Sequence, residues 1–253
     1  MYSISNSMII ATHGILARSS SGGGFTEVYS TDYDGVDDHI TTDATYSVVD
    51  GLDKMSISLW VKPDNFTLYQ ILMSTIRNAT SNQFQFLVHM STTAQLRFFT
   101  HSTARYTYTN VDALTAGAWN HVLICLDKTL SGANKCRIYI NGVDDTGGHN
   151  NQHTESLYTS SSNLSFGINQ NNYYNEFGGK MDEVAIWADT MLTPSDAVTI
   201  YNSGAPTDLS QFSTPPDNYW RFEEGSGTTT EDSLGSADAT LINGTAFSTD
   251  VPT

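Results

Sequence analysis

From Phe25 onward the chain is built of short runs in which apolar and polar residues alternate, separated by Gly, Asn, Asp, Ser and Pro. The clearest is Ser56-Ile57-Ser58-Leu59-Trp60-Val61-Lys62-Pro63. Alternation at period two sends one set of side chains toward a core and the other set away from it. Similar runs cover Glu27 to Tyr33, His39 to Thr41, Met55 to Val61, Gln70 to Ile76, Gln83 to His89 and Leu96 to His101. They continue through Arg105 to Thr109, Asn120 to Asp127, Lys135 to Asn141, Leu164 to Ile168 and Met181 to Ala188. Many short strands with no sustained helical period predict an all-β sandwich or barrel. Asn141-Gly142 is a tight-turn dipeptide. One helix is expected near Thr193 to Tyr201, with Thr193 as N-cap, Pro194 at the first helical position and Gly204 as its stop.

Composition supports this reading. The 4 Trp, 13 Tyr and 11 Phe supply bulk for a sandwich interior. Only 15% of residues are charged, which suits strands joined by turns better than a helical bundle. The formal charge of −16 argues against a nucleic-acid partner, because phosphate binding needs a basic footprint. Acidity of this kind has two readings. One is solubility and mutual repulsion of copies; the other is a group of carboxylates gathered for calcium, a hard cation that prefers oxygen ligands. Met8 to Ala11 and Ile15 to Ala17 are far shorter than the roughly 20 apolar residues of a membrane span, and no basic region precedes them. Neither membrane insertion nor a secretory signal is therefore expected. The protein either stays where it is made or leaves by another route, such as release inside an assembled particle.

Residues 1–25 differ from the rest and end in the flexible run Ser19-Ser20-Ser21-Gly22-Gly23-Gly24. They read as an arm outside the fold, either a disordered terminus or a docking arm that orders on a neighbour. The tail from Asn218 to Gly244 carries further strand-like runs. Because sandwich termini lie close together, these are expected to complete the same sheets, giving one domain over 26–253. Cys125 and Cys136 lie on the two arms of an expected hairpin turning near Lys128 to Ala133. A turn centred on Leu130-Ser131 would let the sulfurs face each other as a disulfide; the other reading is two buried free thiols, favoured where nothing indicates secretion.

Four segments together resemble the laminin-G-like branch of the concanavalin A-like lectin/glucanase superfamily. They are Tyr33-Asp34-Gly35-Val36-Asp37-Asp38-His39-Ile40 with the Trp60 strand, Trp119 to Ile124, Cys136 to Gly142, and Gly179-Lys180-Met181-Asp182-Glu183-Val184-Ala185-Ile186-Trp187. The resemblance implies a two-sheet antiparallel jelly-roll sandwich with one short helix. Its interior is expected to be built from inward-pointing Trp, Ile and Val. The resemblance also implies one structural calcium ion, held by Asp34, Asp37 and Asp38 together with Asp182 and Glu183. Against that, Asp34 and Asp37 are also the residues that cap turns through their own amides. Glucanases of this superfamily place their carboxylates on one strand face in an ExDxxE motif. Asp182 and Glu183 are adjacent, so a regular strand would turn them to opposite sides. No GxSxG, CxxC or GxxxxGK[ST] motif is present, and no enzymatic activity is expected.

Two further features invite a functional reading. His149 and His153 have the i, i+4 spacing of a helical zinc motif, but Gly147-Gly148 implies a loop, so solvated histidines are expected. The polar stretch containing Asn169, Asn171, Asn172, Tyr173 and Tyr174 suits either sugar stacking or packing against another copy. The sequons at Asn65, Asn78, Asn163 and Asn243 are discounted in so Asn/Ser/Thr-rich a chain. The run from Ser7 to Gly24 and the closing segment from Tyr201 resemble laminin-G-like proteins of tailed bacteriophages. That resemblance implies a non-enzymatic virion structural protein on the capsid or tail, at the virion surface. Its expected partners are other virion proteins through the arm, further copies of itself, and host-surface glycan. The alternatives are a cellular carbohydrate-binding or adhesin module and, less in keeping with the motifs, a glycoside hydrolase or lyase.

Overall fold

A computed structural model describes residues 25–78, 83–101, 105–151, 153–158, 162–168 and 175–253. The expected arm, apart from Phe25, and the Asn169–Tyr174 stretch lie outside the described residues. The described chain is an all-β sandwich of two antiparallel sheets with one α-helix. Strands are numbered along the chain. Sheet one runs β10 (Val143–Asp144), β9 (Cys136–Ile140), β8 (Asn120–Asp127), β3 (Lys54–Pro63), β13 (Gly178–Ala188), β1 (Ser30–Asp34) and β17 (Ala246–Ser248), with β14 (Asn218–Trp220) also paired to β13. Sheet two runs β11 (Thr146–Asn150), β7 (Tyr106–Thr109), β6 (Leu96–Thr100), β5 (Gln83–Met90), β4 (Gln70–Asn78), β12 (Leu164–Phe166), β2 (His39–Thr42), β16 (Ala239–Ile242) and β15 (Thr229–Thr230). Residues 218–248 contribute strands to both sheets: β14 lies on β13, β16 on β2 and β17 on β1, where Ser248 opposes Ser30.

Alternation places Ile57, Leu59 and Val61 of β3 in the inter-sheet core beside Phe86, Val88, Phe98, Phe166 and Trp220. The expectation of a tryptophan-lined interior needs correction. Only Trp220 belongs to that core, its ring 5.2 Å from Phe166 in an edge contact. Trp187 lies on the opposite face of sheet one, packed with Leu123, Cys125, Ala197, Ile200 and Leu209. Trp60 is also turned outward, stacked 5.9 Å from Tyr201. The reason is the return of the chain after β13. The helix α1 (Pro194–Tyr201) crosses back over sheet one and buries its second face.

Local chemistry explains that helix. Thr193 Oγ1 accepts from the Asp196 amide at 3.2 Å, and Asp196 Oδ2 accepts from the Thr193 amide at 2.8 Å. This is a reciprocal capping box, and Pro194 follows it at the first helical position. The helix ends at Asn202 in the left-handed conformation (φ 46°). That is two residues before the expected Gly204, since Asn tolerates the left-handed region.

The β8–β9 register decides the cysteines. Cys125 pairs with Arg137 and Leu126 with Cys136, so the two cysteines are out of register by one residue. A one-residue offset places side chains on opposite faces. Cys136 therefore enters the inter-sheet core and Cys125 the layer under α1; both are buried free thiols, and the facing arrangement expected from a turn centred on Leu130-Ser131 does not occur.

Candidate functional site

The acidic residues expected to form one ion site separate into two groups. In the β1–β13 pair Thr31 opposes Met181 and Asp34 opposes Gly178. Asp34 and Asp182 therefore stand four residues apart along the ladder, about 13 Å at the rise of an extended strand. Asp34, Asp37 and Asp38 do gather within 4.8 Å of one another, but the Asp34 and Asp38 carboxylates turn onto nearby amides. Asp34 Oδ1 accepts from Val36 at 2.8 Å, which holds its carboxyl below the usual range. Asp38 Oδ2 accepts from Asp34 at 3.0 Å and Asp38 Oδ1 from Gly244 at 2.6 Å. Asp34 and Asp38 thus act as turn and strand-end caps, and Asp37 remains exposed.

Asp182 and Glu183 instead meet Glu27, with one ligand oxygen from each within 4.8 Å of the others. A β-bulge brings this about. Asp182 opposes Trp60 but Ala185 opposes Ser58, leaving two β13 residues against one on β3. Glu183 takes up the extra residue in a left-handed conformation, φ 50°. Met181 and Val184 on either side both enter the core, so the two carboxylates between them share the outer face of sheet one. The expectation that they face opposite sides fails for this reason. Arg221 bridges the group, with Nε 3.1 Å from Glu183 Oε1 and a terminal nitrogen 3.1 Å from Glu27 Oε1. Tyr219 donates its hydroxyl to Glu183 Oε2, and the Glu183 amide donates to Asp182 Oδ1 at 2.9 Å. Asp182 Oδ2 and Glu27 Oε2 are buried without a hydrogen-bond partner. Burial, and then the neighbouring Glu27 carboxylate, hold Asp182 and Glu183 well above the ordinary carboxyl range. Three carboxylates around one guanidinium, two with an unsatisfied oxygen, form a donor set suited to a hard divalent cation.

The second site lies on the outer face of sheet two. Phe86, Val88, Leu96 and Phe98 point into the core, so their neighbours point out. Two cross-strand rows result: His89, Arg97, Tyr108 and Gly148, and beside it Leu87, Phe99, Tyr106 and Asn150. Four strands make a platform about 15 Å wide. Its floor is Ile71, Leu87 and Phe99, all buried, with Tyr106 packed against them. The Arg97 guanidinium sits 5.8 Å from the centre of the Tyr69 ring and 5.6 Å from that of Tyr106. Both separations fall in the range where a cation is attracted to an aromatic face. Gln95 directs the guanidinium, donating to Thr109 O at 2.7 Å and accepting from Arg97 Nε at 3.0 Å. Tyr108 lies across Gly148, where a Cβ would come within 2.6 Å of its hydroxyl, so a larger residue there would push that ring aside. Gln95, Arg97, Tyr106, Tyr108, His149 and Asn150 line an open cavity of about 410 Å³. Asn175, which follows the predicted Asn169–Tyr174 site, is tied to this edge: its amide donates to Tyr69 O at 3.0 Å and its carbonyl accepts from the Ile71 amide at 3.0 Å. The platform was not anticipated from sequence. The available signal was Arg105-Tyr106-Thr107-Tyr108-Thr109, whose period-two tyrosines must share a face.

A laminin-G family profile, described as the concanavalin A-like lectin/glucanases superfamily, matches residues 34–197. The chain belongs to this superfamily. Solved structures similar to this superfamily member include a native heptameric SAP-like pentraxin from Limulus polyphemus (14% identity, TM-score 0.60, covering 88% of this chain and 95% of that one). A putative carbohydrate-binding protein from Bacteroides ovatus is similar at 16% identity and TM-score 0.64, over 90% of this chain and 62% of that longer one. The Ruminococcus gnavus IT-sialidase CBM40, bound to α2,3-sialyllactose, is similar at 15% identity and TM-score 0.51, over 70% and 97%. At these identities the likeness is one of fold. No curated protein sequence matches the chain.

Within this concanavalin A-like sandwich the two spaced histidines are not solvated loop residues. His149 lies in β11, and its Nδ1 is 2.8 Å from Thr107 Oγ1. His153 is buried, with Nε2 3.0 Å from the same hydroxyl and Nδ1 2.6 Å from Thr100 Oγ1. Burial holds the His153 imidazole neutral, down to about 3. Both rings are committed to threonine hydroxyls rather than to a shared metal.

Proposed function

We propose that this chain is a non-enzymatic glycan-binding sandwich, displayed on a virion surface through the segment that precedes residue 26. The observation that carries glycan binding is the sheet-two platform: three tyrosines and an arginine over an apolar floor, rimmed by Gln95, His149 and Asn150. Aromatic faces stack on sugar rings while amides and hydroxyls bond sugar hydroxyls, and an open, shallow cavity suits a chain of sugars. Many displayed copies would multiply a weak single-site affinity. The absence of catalysis is supported by the burial of both β13 carboxylates, with Glu183 held by Arg221 and Tyr219 and one Asp182 oxygen by the Glu183 amide. The virion setting is supported by the phage-like character of Ser7 to Gly24 and of the closing segment. The same platform would serve a cellular adhesin, whose distinguishing mark would be surface attachment to a cell rather than to a particle.

One structural calcium ion belongs to this reading, at Glu27, Asp182 and Glu183 rather than in the Asp34–Asp38 loop. The orphaned Asp182 Oδ2 and Glu27 Oε2 are what it would satisfy. Calcium there would neutralise the buried charge and pin residues 25–27, where the arm joins the sandwich, against Arg221. Titration calorimetry of the full chain against a panel of oligosaccharides tests the central proposal. Binding that falls at least tenfold in Tyr106→Ala supports it; no binding to any member, or binding indifferent to Tyr106→Ala, refutes it. Deleting residues 1–24 should leave a folded sandwich that no longer joins a particle, and unimpaired incorporation would reject the docking role of the arm.

A further inference from the structure

We infer that the ligand of the sheet-two platform is an anionic sugar, held through a carboxylate or sulfate by the Arg97 guanidinium. This rests on the glycan-binding reading above and names the class of glycan. Of the eleven Lys and Arg residues, all but Arg18 and Arg77 have described side chains. Lys54, Lys62, Lys180, Arg105, Arg137 and Arg221 each pair with a carboxylate. Lys128 and Lys135 donate to backbone carbonyls of Glu155 and His153. Arg97 alone among the nine has neither; its one bond is Nε to Gln95 Oε1.

In a chain with 27 carboxylates that is an unusual omission. The stretches outside the described residues contain no Asp or Glu, so none of them can supply a partner. No carboxylate lines the cavity either. Gln95 holds the Nε edge, and the Tyr69 and Tyr106 rings lie 5.8 and 5.6 Å from the guanidinium carbon, so the group is positioned before a ligand arrives. Its two terminal nitrogens remain for an oxyanion, the planar two-point contact that arginine makes better than lysine. Asn150 and Tyr108 beside it offer bonds to the hydroxyls of the same sugar. The net charge of −16 opposes a distant anion, so selection falls to this short-range pair rather than to steering.

The test is a glycan array probed with the full chain, carrying uronate-, sialate- and sulfate-bearing oligosaccharides, each beside its neutral counterpart. The expected result is binding to acidic members at least tenfold above the neutral ones. Arg97→Gln should abolish that preference, and Arg97→Lys should recover it only in part. Asn150→Asp, an exposed substitution that leaves the fold untouched, should abolish acidic binding by offering Arg97 an internal carboxylate. Equal binding of acidic and neutral members, or acidic binding unchanged in both Arg97→Gln and Asn150→Asp, overturns the inference while leaving a glycan-binding platform. Silence across the whole array overturns both. Matching melting temperatures of the variants and the native chain establish that any loss is local.

Discussion

The effect of Asp182→Asn on stability should depend on calcium: destabilising when the ion is bound, and neutral or stabilising when it is not. Glu27, Asp182 and Glu183 share one guanidinium, so without an ion the buried Asp182 and Glu183 carboxyls must either keep a proton or bear uncompensated charge. Without an ion, Asp182→Asn removes a carboxyl that is costly to ionise in its buried site and keeps the Oδ1 that accepts from the Glu183 amide. The substitution should then be neutral or stabilising by about 1 kcal/mol. With an ion, the same change removes a ligand. At free calcium about 100-fold above Kd, binding contributes about 2.7 kcal/mol, and a domain of this size shifts by roughly 2–4 °C per kcal/mol. Chelation should therefore lower the melting temperature by roughly 5–10 °C. Asp182→Asn should cost most of that shift in about 1 mM calcium, which is about 100 Kd for a site near about 10 µM, and little or nothing in EDTA. The pH dependence supplies a second sign. The folded-state carboxyls of Asp182 and Glu183 sit above their ordinary values of 3.8 and 4.5, so the ion-free fold holds protons that calcium must displace. The ion-free fold loses stability as pH rises from those ordinary values through the raised ones, and the calcium-induced shift should grow over the same rise in pH. Differential scanning calorimetry of both proteins in calcium and in EDTA decides the matter. Identical melts in the two buffers, or an Asp182→Asn penalty equal in both, would refute the reasoning.

Two further outcomes follow from burial and register. His89, His121 and His153 are held neutral at about 3 by burial. Their unfolded values near 6.5 lie above that, so the unfolded chain binds more protons and stability falls as pH drops from about 6.5 toward 3, by up to about 1.4 kcal/mol per histidine per pH unit. Denaturant titrations from about pH 7 to about pH 4.5 should show the fall, and His121→Asn should make it shallower by removing one of the three contributions; a level profile would contradict the buried, neutral imidazoles. Cys125 and Cys136 should both be unreactive toward a thiol reagent in the native state and both reactive after unfolding, with no change of melting temperature in reductant. Burial pushes the Cys136 thiol up to about 12 and Cys125 higher still, which reinforces their inertness. Recovery of fewer than two thiols from the unfolded chain would refute the observed register.

What the chain carries locally was legible without coordinates. Period-two runs marked the strands, Thr193 and Pro194 marked the start of the helix, and the family-like segments implied the two-sheet sandwich. Each of these depends on residues a few positions apart, where backbone geometry alone relates side chains. The features that matter for function depend on pairings between distant strands. A single extra residue opposite β3 at Glu183 turns two carboxylates to one side and delivers them to Glu27. A one-residue offset between β8 and β9 separates the cysteines. The return of α1 over sheet one gives Trp60 and Trp187 a second, outer layer to pack in, and four strands laid side by side assemble Arg97 with tyrosines from separate segments. Sequence by itself determined which segments become strands and which residues alternate along them. Register, bulges and the covering of sheet faces were decided only by tertiary packing, because burying a face selects among pairings that local geometry leaves nearly equal in energy.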